Sequence, residues 1–373
     1  MTLLVILWPS LERRAGQFDR IPYRPYAPHH YGSCLMPTTK NLLLYAIAIL
    51  VVAFIISRIP GYTLNTLSHD DDHPIVLGTN VWPGYEPLFL ARNQGMLDSD
   101  TVSLLDFSSS TQVMRSFVNG TIDAAGLTLE QVLILRESNV DVVIVLVVDF
   151  SNGGDAIVAR PDIDSLQALE GRPIGVPNTA LGALIVARAL EVNDMPPDAL
   201  QRVFADMDEQ EILFEQGRID AAVTYSPVLD RLKAAGNREV FSSREIPGEI
   251  VDVIITRPHI VEHHGDKLAE LLSGWFDALA YIEANPEESA QLMVPRLSVS
   301  PELVLQSLQN LQFVSLEQNL DYLGDQPGAF RDSIDSLQEI MVDAGFLVGP
   351  IDAVGLVSDR AVRAVVQQRE RRQ

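Results

Sequence analysis

The chain has 373 residues, of which 47% are hydrophobic, so it is long and apolar enough to form two or three folding units with buried cores. Its 50 acidic residues against 27 basic ones give a formal net charge of −23, which repels phosphate backbones and argues against nucleic-acid binding. The single cysteine, Cys34, excludes an internal disulfide and a cysteine-rich metal site.

The first predicted element is an apolar run at residues 42–56, LLLYAIAILVVAFII. It is shorter than the ~20 residues of a membrane-spanning helix and fits a signal-peptide core or a short anchor. Residues 36–60 are therefore predicted to be a signal peptide or signal anchor, and the absence of a small-x-small cleavage site favours the anchor. Residues 1–35 are interpreted as unstructured or mis-assigned upstream sequence, and residues 61–73 as a linker. This predicts a periplasmic domain, tethered to the inner membrane through residues 42–56 if the segment is retained.

From residue 75 onward, short apolar strands alternate with amphipathic helices, which is the pattern of an α/β protein. Several strands are continuous apolar runs, as expected when helices cover both faces of a sheet. The predicted strands cover residues 75–79, 102–107, 122–127, 142–148, 156–159, 173–176, 202–205, 219–224 and 251–256.

Two lobes are predicted from the points at which the chain changes direction. It is expected to cross into a second lobe near residues 149–154 and to return near residues 247–252. Residues 74–150 plus 250–373 then form the first lobe, and residues 151–249 form the second. Helical patterns dominate after the return, and these helices are assigned to the exterior of the first lobe.

A short repeat, GTIDAAGLTL at residues 120–129 and GRIDAAVTYS at residues 217–226, supports a two-lobed architecture. In each copy a glycine that can adopt a left-handed helix cap, Gly120 or Gly217, is followed by Ile-Asp-Ala-Ala and a strand. Ligands of open α/β sheets collect at the carboxyl ends of the strands. Two such lobes that face each other therefore predict a ligand-binding cleft.

Four ordered segments resemble the periplasmic substrate-binding proteins of ABC importers, in the subgroup that binds nitrate, sulfonates, taurine and the thiamine pyrimidine precursor. They are VLGTNVWPGYEPLFLARNQGMLD, FVNGTIDAAGLT, FSNGGDAIVARPDIDSLQALEGRPIGVPNTALGALIVARAL and FEQGRIDAAVTYSP. The resemblance extends from residue 75 to beyond residue 256. It implies a two-lobed α/β fold of the type II periplasmic-binding-protein class, a monomer that closes about a hinge, and delivery of a small solute to a permease and its ATPase.

The resemblance also implies a pocket built from loops and helix starts between the lobes. Helix N-termini offer unsatisfied N–H groups, and aromatic side chains exclude water. No catalytic residue, cofactor or metal is expected. The predicted ligand-binding residues are Trp82, Gly84, Tyr85, Glu86, Ser110, Thr111, Thr128, Asp149, Asn152, Asn178, Thr179, Thr224, Tyr225 and Asp252.

Two other functions remain open at this level. An enzyme of thiamine-pyrimidine synthesis shares the fold but calls for a cysteine-containing motif that the domain lacks, and a membrane-tethered sensor calls for a cytoplasmic output module. The motif HIVEH at residues 259–263 fits the zinc-protease pattern H-x-x-E-H, but it directly follows Pro258 at the first turn of a predicted helix. A structural role is the preferred interpretation.

The charge of the ligand is a separate expectation. The loops predicted to face the cleft contribute Glu86, Asp149 and Asp252, whereas the segments WPGYE, SSST, DFSNGG, PNTA and TYSP contain no lysine or arginine. An uncompensated carboxylate in a closed cleft is costly. A neutral or cationic, nitrogen-rich solute is therefore favoured over nitrate or a sulfonate, although helix N-termini can hold an anion without a basic side chain.

Overall fold

The computed structural model describes residues 73–324 and 329–372, all within one compact unit, His69–Gln373. The predictions for residues 1–35, 36–60 and almost all of 61–73 lie outside the described residues. Within the described ranges, no helix combines the length and the apolar character that crossing a bilayer requires.

Strands and helices alternate through the first two thirds of the domain, as predicted, and helices dominate the remainder. The strands are β1 (Ile75–Asn80), β2 (Val102–Phe107), β3 (Ala124–Thr128), β4 (Val143–Ser151), β5 (Asp155–Ala159), β6 (Pro173–Val176), β7 (Gln201–Phe204), β8 (Ala221–Tyr225), β9 (Arg238–Ser242), β10 (Val251–Thr256) and β11 (Leu311–Phe313). The helices are α1 (Glu86–Asn93), α2 (Ser110–Val118), α3 (Leu129–Glu137), α4 (Ala180–Val192), α5 (Met207–Glu215), α6 (Val228–Ala234), α7 (Pro258–His263), α8 (Gly265–Ala284), α9 (Pro286–Leu297), α10 (Pro301–Gln309), α11 (Leu316–Leu323), α12 (Ala329–Asp343) and α13 (Arg360–Arg372).

The strands form two separate sheets, one in each lobe. The first has the order β11-β4-β10-β3-β1-β2, and the second has the order β7-β6-β8-β5-β9. In the first sheet β1 is parallel to β2 and β3, while β10 is antiparallel to β3 and β4. In the second, β6 is parallel to β7 and β8, while β5 is antiparallel to β8 and β9. Each sheet is therefore mainly parallel with an antiparallel strand inserted beside the repeat strand, and the first sheet has a further antiparallel strand, β11, at its edge.

The repeat occupies the same structural position in both sheets. Gly120 and Gly217 have positive φ angles of 73° and 68°, which confirms the predicted left-handed helix caps. The strands that follow are β3 and β8, whose alanines pair with β1 and β6 respectively. Each ends at the carboxyl edge of its sheet, at Thr128 or Tyr225. The repeat therefore brings two equivalent strand ends to the two sides of a cleft.

The tail helices complete the first lobe. α8 packs against α1 and α13, and α12 packs against α3. Trp275 on α8 is fully buried, and it lies 6.2 Å from Phe313 of β11, measured between ring centroids. β11 adds a three-residue edge strand beside β4. β9 and β11 are not among the strands predicted from the sequence, and polar residues interrupt the apolar pattern of both.

Candidate functional site

A cavity of about 30 Å³ lies between the lobes, at the carboxyl edges of the two sheets. Six of the predicted ligand-binding residues line it: Trp82, Tyr85, Ser110, Thr128, Tyr225 and Asp252. The lobes touch each other around this space, since the Asn80 amide donates to the Tyr225 hydroxyl at 3.4 Å. The structure thus describes two lobes in contact around a small, partly open cavity.

Aromatic rings form one wall of the cavity. Trp82, in the loop after β1, meets Tyr225 of the second lobe edge to face, with ring centroids 5.5 Å apart. Tyr85 is buried below them, and its hydroxyl donates to Asp252 Oδ1 at 2.6 Å. Apolar rings of this kind exclude water and strengthen the electrostatic interactions of whatever lies between them.

Two carboxyl groups line the cavity, one from each lobe. Asp252 of β10 pairs with Thr128 at the end of β3, and Asp155 of β5 pairs with Tyr225 at the end of β8. The two aspartates therefore hold corresponding positions, each beside the last residue of a repeat strand. They are only 4% and 2% exposed, and Asp155 Oδ2 has no hydrogen-bond partner.

Two further carboxyl groups lie directly behind the lining. Asp149 of β4 is the cross-strand neighbour of Asp252, an arrangement of like charges that is destabilising when both are ionised. Neither oxygen of Asp149 has a partner. Glu130 is fully buried in the first turn of α3, where its carboxylate accepts from the Thr128 hydroxyl. Four acidic side chains thus converge on one small buried region.

These surroundings raise the pKa of all four groups. Burial raises the pKa of Asp155 to about 7, against a partial lowering by the Ser151 hydroxyl. Burial likewise raises the pKa of Glu130 to about 7. For Asp149 and Asp252, burial is the largest cause of a raised pKa, and a neighbouring aspartate charge adds to it, from Asp155 and Asp149 respectively. Ionisation of these carboxyl groups in the folded protein therefore costs free energy.

Gly84 allows the Trp82 loop to approach Asp149. A Cβ atom at Gly84 would stand 2.2 Å from Asp149 Oδ2 and 2.3 Å from Trp82 Nε1, distances that no side chain tolerates. The indole N–H lies close to the carboxylate without the alignment of a full hydrogen bond, and its proximity lowers the pKa of Asp149 against the larger effect of burial. Glycine at this position therefore keeps two buried polar groups close to the cavity wall.

Two segments connect the sheets, residues 152–154 and 243–250, and they correspond to the predicted hinge. The Ser151 N–H donates to the Ile250 carbonyl at 3.0 Å, and the Gly153 N–H donates to Ser243 Oγ at 2.6 Å. Gly154 lies against Trp82, because a Cβ there would stand 2.6 Å from the indole ring. The aromatic wall is therefore in direct contact with the hinge.

Replacement of Gly153 with alanine is expected to destabilise the protein by roughly 1–3 kcal/mol, because its φ of +106° is strained for any L side chain. The new methyl group would also stand 2.1 Å from Arg244 Cζ, which must move. Gly236→Ala is the matched control, since Gly236 has a φ of +93° and open space around it. Urea unfolding should show the larger loss for Gly153→Ala, and equal losses would show that the Arg244 packing contributes nothing.

The other predicted residues lie outside the cavity lining. Gly84 and Asp149 stand behind it, as described above. Glu86 is ion-paired with Arg296. Asn152 donates its backbone N–H to the Asn310 carbonyl at 2.8 Å. Thr179 caps α4, because its side chain accepts a hydrogen bond from the Gly182 N–H at 3.0 Å. Thr224 is buried beside Met207, Asn178 is exposed, and Thr111 is half-buried on α2.

Five lining residues are absent from the sequence-based set: Asn80, Leu127, Gln131, Asp155 and Leu181. Asp155 carries a usable signal, because it directly follows the Gly153-Gly154 pair at the predicted crossing. Asn80 is the last residue of β1, so the rule that ligands collect at strand ends also points to it. Gln131 bonds the Thr128 N–H and the Ser110 hydroxyl, contacts that only the three-dimensional structure reveals.

The HIVEH segment forms a short helix away from the cavity, α7. His263 Nδ1 lies 2.9 Å from the His259 carbonyl oxygen, a contact within one turn of helix. Within the described ranges, no group of three or more histidine, cysteine or acidic side chains has a geometry that could hold a metal ion.

Comparison with known proteins places this geometry in a family. Residues 69–297, more than half of the chain, match the NMT1-like family. The chain belongs to this family. A protein of Brucella abortus (strain 2308) that is named as a binding protein is 22% identical over 297 residues, which cover 76% of this chain and 89% of the relative. The taurine-binding periplasmic protein of Escherichia coli (strain K12) is 22% identical over 191 residues, 50% of this chain and 59% of the relative.

Solved structures show the same fold at low sequence identity. The alkanesulfonate-binding protein SsuA of Xanthomonas axonopodis pv. citri superposes with a TM-score of 0.63 at 14% identity, over 76% of this chain and 98% of that one. The desulfurization enzyme DSZB superposes with a TM-score of 0.58 at 16% identity, over 79% of this chain and 99% of that one. The chain therefore has the periplasmic-binding-protein fold, which carries both binding proteins and an enzyme.

Proposed function

We propose that this protein is the extracytoplasmic solute-binding component of an ABC importer. It captures a small solute between its lobes by closure and presents the solute to a permease and its ATPase. The observation that carries the proposal is the cavity between the carboxyl edges of the two sheets, at which unpaired, buried polar groups from both lobes meet. The names of the relatives, which are binding proteins, support the same conclusion.

Catalysis on the same fold is the second candidate, because the fold also carries a desulfurization enzyme. The cavity lining does not favour it. The lining contains neither cysteine, lysine nor histidine, and its serine, Ser110, accepts a hydrogen bond from the Gln131 side chain rather than facing a general base. The arrangement has groups that recognise a ligand but lacks a nucleophile paired with a base.

Uptake of solutes by living cells tests the proposal. The parent strain should remove one solute, or one chemical class of solute, from the growth medium. A strain from which the gene has been deleted should leave that solute in the medium. The wild-type gene should restore removal, whereas Asp155→Ala should not. Equal depletion by the deletion strain and its parent would contradict the transport role.

Closure can be measured on the full-length chain with spin labels on the two lobes. Ser99 and Glu170 are exposed positions in the first and second lobes, and each can be replaced with cysteine to carry a label. The substitution Cys34→Ser removes the native thiol, so that only these two positions are labelled. The solute identified by uptake should shorten and narrow the distance distribution between the labels. Conversion of that solute to a new product by the purified chain would instead support the enzyme.

A further inference from the structure

We propose that the solute is a small organic cation that carries N–H donors and lacks an acidic group, held between Asp155 of the second lobe and Asp252 of the first. Ammonium, amidinium and guanidinium groups have this chemistry. The inference rests on the proposed capture of a solute in the cleft and adds the chemical class of that solute.

The two aspartates are placed to clamp a positive charge. Each lies beside the last residue of a repeat strand, so closure brings one carboxylate from each lobe to the same cavity. Asp155 Oδ2 is buried and accepts no hydrogen bond, and Asp252 accepts one from the Tyr85 hydroxyl at 2.6 Å. A ligand with several N–H groups would satisfy the acceptor capacity that these carboxylates leave unused.

Basic side chains do not compensate this charge within the described part of the chain. No lysine, arginine or histidine is among the cavity-lining residues. Arg296, on the far side of Asn80, is bound to Glu86, Asp106 and the Asn80 carbonyl. Arg244 at the hinge is bound to Glu239 and Asn310. A cationic ligand would therefore be the counter-ion that lets the lobes close over the aspartates, whereas an oxyanion would add to the repulsion.

One of the helix N-termini at the site is already occupied by a carboxylate. α3 begins directly after Thr128, and its first turn holds the buried Glu130. The positive end of the helix dipole, which elsewhere attracts anions, is thus neutralised by the protein itself. An incoming sulfonate or nitrate would meet Glu130 at this terminus, although α2 and α4, whose first turns contribute Ser110 and Leu181 to the lining, carry no acidic residue there.

The aromatic wall and the size of the cavity agree with a small cation. Trp82, Tyr85 and Tyr225 present rings to the cavity, and such rings attract ammonium and guanidinium groups through cation–π interactions. The volume of about 30 Å³ suits a cation of few heavy atoms better than a long polyamine. Rings and carboxylates together therefore select for both charge and size.

The same groups predict how binding depends on pH. The titratable groups at and behind the cavity are Asp149, Asp155, Asp252 and Glu130, with Tyr85 and Tyr225. Burial raises the pKa of the four carboxyl groups, so protons compete with the cation below neutral pH. Affinity for the cation should accordingly rise between pH 5 and pH 8.

Calorimetric titration of the full-length chain tests the proposal with matched probes. The cations are methylammonium, guanidinium and acetamidinium; acetamide is the uncharged counterpart of acetamidinium, and methanesulfonate, taurine and nitrate are the probes bearing anionic groups. We expect at least one cation to bind at least tenfold more tightly than acetamide and than every probe bearing an anionic group. Failure of all three cations, or tighter binding of acetamide or of a probe bearing an anionic group, would overturn the proposal.

Variants separate the clamp from general effects of charge. Asp155→Asn and Asp252→Asn are each expected to weaken the best cation at least tenfold, whereas Asp162→Asn removes an exposed charge from the second lobe and should leave affinity unchanged. Unchanged affinity in both clamp variants would contradict the assignment, and circular dichroism distinguishes lost binding from lost folding. If an anionic solute closes the lobes, the protein captures a solute but the proposed cationic class is wrong. If uptake is unchanged in the deletion strain, the importer role itself is wrong.

Discussion

Replacement of Asp149 with asparagine is expected to stabilise the protein at pH 8 by about 2–4 kcal/mol, because it removes a buried charge that the nearby indole N–H of Trp82 compensates only in part. Burial and the neighbouring Asp155 raise the pKa of this carboxyl group in the folded state above its ordinary value of 3.8. The folded state therefore retains a proton that the unfolded state has already released. Most single substitutions at a buried position destabilise, so a gain here would be diagnostic.

The sign of the pH dependence follows from this difference. A carboxyl group with a raised pKa supports folding fully below its unfolded pKa, and the support is lost as the pH rises from about 4 through the folded pKa. Wild-type stability should fall over that range, and the Asp149→Asn variant should show a shallower fall. The advantage of the variant should thus be large at pH 8 and nearly absent at pH 4.

Urea unfolding of the full-length chain at a series of pH values measures this effect, and urea is preferred because guanidinium is itself a proposed ligand. Asp141→Asn is the control, since Asp141 is exposed in the first lobe and carries the same charge. It should change the free energy of unfolding by less than about 0.5 kcal/mol. A destabilised Asp149→Asn variant at pH 8, or a gain that does not vary with pH, would contradict the explanation.

The lobes and their repeat could be predicted because their signals are local. The glycine caps at Gly120 and Gly217 and the apolar strands that follow are determined by neighbours within a few residues. The predicted crossing, residues 149–154, includes the observed connection at residues 152–154, but β4 continues to Ser151 and so includes Asp149 within the strand. Polar residues at the end of a buried strand resemble a loop in sequence, although the ladder continues through them.

The candidate site depends on contacts that no local pattern contains. Asp149 and Asp252 become neighbours through strand pairing between residues about a hundred positions apart. The family resemblance implies that Glu86 lies at the pocket, whereas in the structure its carboxylate pairs with Arg296 of the tail helix α9. Arg296 has no sequence signal for this role. The direction of a side chain at the start of a helix is set here by tertiary packing.

Replacement of Arg296 with methionine is expected to cost about 2–4 kcal/mol of folding free energy at pH 8, because buried Glu86 loses its partner and must take up a proton, and because the other contacts of the guanidinium are lost. Glu86 is 2% exposed, and the guanidinium that neutralises it also donates to Asp106 at 2.5 Å and to the Asn80 carbonyl at 3.0 Å. The same guanidinium stacks on Phe89, with Cζ 3.7 Å from the ring centroid. The Arg296 side chain therefore links the tail helix α9 to the start of the loop that carries Trp82.

Two comparisons distinguish the loss of the ion pair from a general loss of packing. Glu86→Gln combined with Arg296→Met removes the stranded charge and should recover a large part of the loss, since an ion pair replaced as a whole costs less than one partner removed. Arg92→Met is the control, because Arg92 faces the same Phe89 ring at 5.2 Å but is exposed. It should cost less than about 1 kcal/mol.

The pH dependence of the Arg296→Met variant supplies the final check. Burial already raises the pKa of Glu86 to about 7, against the lowering effect of Arg296, so removal of the arginine should raise it further. Protonation then relieves the stranded charge, and the variant should regain stability relative to wild type as the pH falls from the variant's raised pKa to about 7, below which Glu86 is protonated in both proteins. Urea unfolding at pH 5 and pH 8 measures the difference. A loss that is equal at both values would mean that Arg296 acts through its packing on Phe89 and not through the charge of Glu86.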